Sequence, residues 1–172
     1  MNKLIVINYD GDRFKSDNHS NLKLNFYRDS GLEPSLILDQ LSRSELLSFL
    51  SYYSERADYL IIHIKSHGGE AGIAKEHPEI ENCGAKESFI SWEELINVLN
   101  RISENCRDLI VNLGTVCNSI NINKFDVPKN FTTLVTNQSV TDPVKPRKLN
   151  KWLIGKINNI KLCPQYELLI KE

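Results

Sequence analysis

Asp58-Tyr59-Leu60-Ile61-Ile62-His63-Ile64-Lys65 runs without a break into Ser66-His67-Gly68-Gly69. Its first eight residues, rich in isoleucine and closed by a glycine pair, read as a central β-strand. Upstream, Lys3–Asn8 (KLIVIN) is continuously apolar between its ends, the pattern of a strand covered by helices on both faces. Ser35–Asp39 (SLILD) reads as a second strand. Ser42-Arg43-Ser44-Glu45 after it is a capping box, in which serine and glutamate reciprocally satisfy exposed amides at a helix start. Leu46, Phe49, Leu50 and Tyr53 fall on one face of that helix. Residues 11–34 fit two patterns: Leu22, Leu24 and Phe26 alternate as in a strand, whereas Leu22, Phe26 and Tyr27 share a helix face ending at Gly31.

Downstream, the polar stretch Glu70–Glu87, with Gly72, Pro78 and Gly84, suits a loop or small hairpin beyond the sheet edge. Ser91-Trp92-Glu93-Glu94 is a second capping box, and Leu95, Val98, Leu99 and Ile102 continue its helix. Asp108–Leu113 (DLIVNL) is the next buried strand, ending at Gly114-Thr115-Val116-Cys117, and Phe131–Asn137 supplies another. Pro143 and Pro146 precede a helix with the apolar face Leu149, Trp152, Leu153 and Ile157, and Tyr166–Ile170 is a candidate closing strand. Strands alternating with helices indicate an α/β fold with a mostly parallel sheet. The 172 residues, 41% hydrophobic and 25% charged, suffice for one domain over residues 1–172 with a core of its own.

Twenty-one Lys and Arg balance 22 Asp and Glu, so the net charge of −1 gives no general attraction to nucleic acid or anionic lipid. The segment from Asp142 to Glu172 is locally basic, with seven Lys/Arg against three Asp/Glu, and reads mostly as a solvated helix face. Apolar runs such as Leu4–Ile7 and Tyr59–Ile62 fall far short of the roughly 20 residues of a membrane span. The N-terminus lacks a signal-peptide core, so the expected location is the cytoplasm. Cys83, Cys106, Cys117 and Cys163 form no CxxC pair and no zinc-type spacing with histidine; free thiols are expected in a reducing compartment, with no metal and no cofactor.

Functional groups of open parallel sheets gather beyond the carboxyl ends of the strands. Two such ends carry His67 and Cys117, and if their strands are neighbours an imidazole and a thiol share one crevice. That pair is the minimum for nucleophilic acyl transfer. His63 lies within its strand and reads as a core histidine. The His63/His67 spacing imitates a zinc pair only on a helix, which this run is not. His19 and His77 fall in polar loops. Trp92 and Trp152 lie on helix patterns as core fillers. Cys83, Cys106 and Cys163 read as packing residues. Gly11 supplies the bend of the Asp10–Asp12 turn.

Strand-Ser66-His67-Gly68, the helix opening Ser91-Trp92-Glu93-Glu94-Leu95, strand-Gly114-Thr115-Val116-Cys117 and Leu41-Ser42-Arg43-Ser44-Glu45 occur in an order that resembles the caspase-like cysteine peptidases, the caspase, metacaspase and CHAT group. The likeness spans about residues 1–160. The 50-residue separation of His67 and Cys117 matches caspases and belongs to that likeness. It implies a three-layer α/β/α caspase-like fold whose six-stranded sheet is mostly parallel with an antiparallel last strand. It also implies a cysteine endopeptidase: Cys117 attacks a peptide carbonyl, His67 protonates the leaving amine, and the backbone N–H groups of Gly68 and Cys117 bind the oxyanion. A glycine at position 68 would keep the substrate's approach clear. Substrate-binding positions implied are Asp10, Asp12, Thr115 and the stretch Gln138, Ser139, Val140, Thr141 and Asp142, where a substrate strand pairs through main-chain groups.

The chain departs from the pattern at Thr115, where metacaspases carry an acid, and it lacks the Gln-Ala-Cys-x-Gly of caspases. Pocket charges at Asp10, Asp12, Arg13 and Asp142 have opposite signs and define no cleavage preference. Asn118–Asn130 is short, with Asp126 its one aspartate, which disfavours processing into two subunits. The partners expected are a protein substrate and a separate regulatory or sensor protein. The CHAT likeness points to a prokaryotic, defence-associated setting. The competing expectation is a catalytically inactive caspase-like module that binds a protein partner through the same crevice. An unrelated doubly wound ligand-binding domain is disfavoured, since no Gly-rich phosphate loop follows the first strand.

Overall fold

The computed structural model describes residues 2–11, 33–76, 83–114 and 116–135. The readings on residues 12–32, Pro78, Thr115 and residues 136–172 lie outside them; these include Asp12, Arg13, Gln138–Asp142, the helix around Trp152 and the antiparallel closing strand. In chain order the described elements begin with β1 (Asn2–Tyr9), β2 (Leu36–Asp39), α1 (Arg43–Tyr52), β3 (Ala57–Gly68) and β4 (Gly72–Ala74). Then come α2 (Cys83–Ser88), β5 (Ile90–Ser91), α3 (Trp92–Ser103), β6 (Cys106–Asn112), a 3-10 turn (Ser119–Lys124) and β7 (Phe131–Leu134).

Both capping boxes open helices. Ser42 Oγ accepts from the Glu45 amide while the Glu45 carboxylate accepts from the Ser42 amide, and Ser91 and Glu94 repeat the exchange at α3. Leu46 and Leu50 of α1 and Leu95, Leu99 and Ile102 of α3 are buried together, and the Arg43–Glu94 ion pair joins the two helices.

The main sheet runs β2-β1-β3-β6-β7, every neighbouring pair parallel, with β3 in the middle. Ile5, Ile7, Leu60, Ile62, Ile64, Leu109 and Val111 project onto one face and form the core with α1 and α3. Leu4, Val6, Ile61 and Ile110 alternate onto the other face and are equally buried. The chain is therefore α/β with a mostly parallel sheet buried on both faces, as a three-layer arrangement requires. Each fully buried Leu or Ile side chain contributes about 1.5–3 kcal/mol. No helix among the described residues is long and apolar enough to cross a membrane.

β3 departs from the reading of the sequence. It does not stop at Lys65 but continues through His67 to Gly68, so the histidine stands in a strand rather than a loop. The reason is β4: the polar stretch after Gly69 folds back as a small hairpin, pairing antiparallel with His67↔Ala74 and Gly68↔Ile73. β4 pairs in turn with β5, immediately before α3.

Candidate functional site

β3 and β6 are neighbours, in register from Ala57↔Cys106 to His63↔Asn112, so the chain beyond each reaches the same carboxyl edge of the sheet. β6 ends in a tight turn. Asn112 Oδ1 accepts from the Gly114 amide at 3.0 Å and the Val116 amide donates to Leu113 O at 2.9 Å. Ser119 Oγ donates to Leu113 O at 3.0 Å, and Asn118 takes up a left-handed conformation with φ 55°. These bonds bring residues 116–117 back onto the end of β3.

The contact there is close. A Cβ built on Gly68 would lie 2.0 Å from the Cys117 carbonyl oxygen and 2.6 Å from Val116 Cγ1. The peptide that follows His67 thus packs directly against the backbone of Cys117. Gly68 is required by this internal contact, a reason different from the substrate clearance expected of it. Cys117 is half-buried and in no disulfide, and the His67 side chain is 37% exposed. Among the residues expected to act, the structure packs Gly68 against the backbone of Cys117 and sets Asp10 beside His67, while Asp12, Thr115 and Gln138–Asp142 fall outside the described residues.

Asp10, expected among the substrate-binding residues, directs its carboxylate at β3. Its Oδ1 lies 3.6 Å from His67 Nε2 and its Oδ2 lies 3.1 Å from Lys65 Nζ, with the side chain only 13% exposed. The following amide, of Gly11, donates to Lys75 O at 2.9 Å, tying the end of β1 to the hairpin strand. Tyr9, under this turn, donates its hydroxyl to Ser88 O at 2.6 Å, and burial pushes its phenol up to about 12.

Trp92 has a role its helix pattern did not reveal. It is buried, and its indole N–H is shared between Gly69 O and Glu70 O, each at 3.1 Å, while its amide donates to Ala71 O at 3.0 Å. The first residue of α3 therefore fixes the turn just after His67. Gly72 supports the same hairpin, since a Cβ there would meet Ile90 O at 2.1 Å. Ser66 Oγ adds a bond to Ala74 O at 2.9 Å. The signal in the sequence was a tryptophan directly after a capping serine, which a periodicity argument treats as core.

His63 is buried, as expected of a strand histidine. Cys106 is half-buried with its thiol pushed up to about 11, chiefly by desolvation and then by Asp108, so it is a poor nucleophile. Among the described residues no group of three His, Cys, Asp or Glu side chains could hold a metal ion. No protein-family model matches the chain, and no curated protein matches it.

Proposed function

We propose that this chain is a caspase-like cysteine endopeptidase that hydrolyses peptide bonds of a protein substrate through a Cys117/His67 dyad. The observation that carries the reading is the packing of Gly68 against the carbonyl of Cys117. Two residues far apart in sequence, each adjoining or supplying a group suited to acyl transfer, meet at the carboxyl edge of a parallel sheet. The order of strands β2-β1-β3-β6-β7 and the partial exposure of both side chains are compatible with it.

In this mechanism the Cys117 thiol passes its proton to His67 and the sulfur attacks the carbonyl carbon. The tetrahedral oxyanion is held by the amides of Gly68 and Cys117. The imidazolium returns the proton to the leaving amine as the C–N bond breaks, and water then hydrolyses the thioester. A separate regulatory protein controls the enzyme or presents its substrate.

The test is alkylation of the full chain with iodoacetamide and with an acyloxymethyl ketone, mapped by peptide mass spectrometry. Selective modification of Cys117 that falls at least about tenfold in His67→Ala is the expected result. Uniform slow labelling of all four thiols, persisting with any co-purifying protein present, would overturn it in favour of a non-catalytic binding module.

A further inference from the structure

We infer that Asp10 is a positioning residue for His67, holding the imidazole by Nε2 so that Nδ1 is the nitrogen that exchanges protons with Cys117 and the leaving amine. The inference rests on the peptidase reading and assigns Asp10 to the proton-transfer machinery rather than to a specificity pocket.

Strand register sets the carboxylate beside the imidazole. β1 and β3 pair through Asn8↔Lys65 and Tyr9↔Ser66, and one further step along both chains brings Asp10 level with His67. Lys65 and His67 are two residues apart on β3 and leave the strand on the same face. One carboxylate therefore stands between an ammonium and an imidazole, with Oδ2 at 3.1 Å from Lys65 Nζ and Oδ1 at 3.6 Å from His67 Nε2. Both oxygens are engaged and the side chain is mostly buried, so little of the charge is open to a cationic substrate side chain.

The turn that holds Asp10 is also anchored to the hairpin. The Gly11 amide bonds to Lys75 O, just beyond β4, and β4 is the strand that pairs with His67 itself. Carboxylate and imidazole are thus fixed to a common hairpin. The 3.6 Å separation is longer than a formed hydrogen bond, as catalytic contacts often are before substrate binds.

The chemistry balances without a further reactant. An imidazole bound at Nε2–H has Nδ1 as its basic site. Nδ1 takes the thiol proton as the C–S bond forms and gives it up as the C–N bond breaks. Asp10 keeps its charge throughout and stabilises the transient imidazolium. Asp10 from β1 stands between Lys65 and His67 of β3, while the β4 partner of His67, Ala74, brings no charge.

The test uses the full chain in three forms, Asp10→Asn, Asp10→Glu and His67→Ala, beside the unaltered protein. Iodoacetamide labelling of Cys117 is read against Cys106 as internal reference, and the His67 ring is followed by long-range ¹H–¹⁵N spectra. The expected results are an Nε2–H tautomer in the unaltered protein and a mixed tautomer in Asp10→Asn with Cys117 labelling lowered about tenfold. Asp10→Glu restores labelling to within about threefold. An Nδ1–H tautomer in the unaltered protein would overturn the inference without any variant. So would normal labelling and ring shifts in Asp10→Asn, or a glutamate variant no better than the asparagine one. If His67→Ala lowers labelling and Asp10→Asn does not, the positioning role alone fails. If His67→Ala has no effect, the dyad fails and the inference with it.

Discussion

Gly68 is the residue on which the site closes. With 2.0 Å between a built Cβ and the Cys117 carbonyl oxygen, Gly68→Ala forces the turn after β6 away from β3. The expected cost is about 1–3 kcal/mol, as for overpacking elsewhere in protein interiors. For a chain of this size, that lowers the melting temperature by about 2–4 °C per kcal/mol, measurable by calorimetry. Cys117 labelling should fall with it, since the thiol moves relative to His67. The residue types at positions 67, 68 and 117 could be picked out of the sequence because chemistry-bearing residues followed strand patterns. The reason for the glycine could not be, because the atom it avoids belongs to a residue remote along the chain. The pairing of Asp10 with His67 and Lys65 was hidden for the same reason: it depends on how β1 and β3 are aligned, which no local pattern states.

Helix α3 links the core to the site through its first turn. Glu94 is held below the usual carboxylate range mainly by the Ser91 amide, with Arg43 contributing. Its folded value lies beneath the ordinary 4.5, so its contribution is present above that pH and is lost as pH falls through the lowered value. Glu94→Gln is therefore expected to lower the urea midpoint at neutral pH, with the difference from the unaltered protein shrinking as the pH is taken below the ordinary carboxylate range. Trp92→Phe keeps the ring and removes the N–H shared by Gly69 O and Glu70 O. It should cost about 1 kcal/mol and speed amide exchange at Gly69, whose N–H bonds to Gly72 O. Both capping boxes were readable because four consecutive residues contain the donor and the acceptor. The length of β3 was not, since its last residues are strand only by virtue of β4, and the composition of that stretch, which fits a loop or a small hairpin alike, does not say what the hairpin pairs with.

Among the described residues, most of the buried apolar side chains lie in the parallel sheet and in α1 and α3 against it. Ile62 on β3, flanked by β1 and β6 and fully buried, is expected to cost about 2–5 kcal/mol on replacement by alanine. Tyr52, 85% exposed at the end of α1, should change stability by no more than about 0.5 kcal/mol when truncated, with urea unfolding as the measurement for both. The α/β class was plain in the sequence because continuous apolar runs mark strands covered on two faces, and that burial is what the sheet shows. β3 serves two structures at once. Its ladder to β6 ends at His63 and its ladder to β1 ends at Ser66, leaving His67 and Gly68 to the two-residue pairing with β4. The strand overhangs the main sheet, and the overhang that carries the imidazole is propped by the hairpin and by the Trp92 indole beneath its turn. On warming, so short a support opens before the broad platform behind it, so amide exchange at Gly69 will rise ahead of the loss of helical ellipticity.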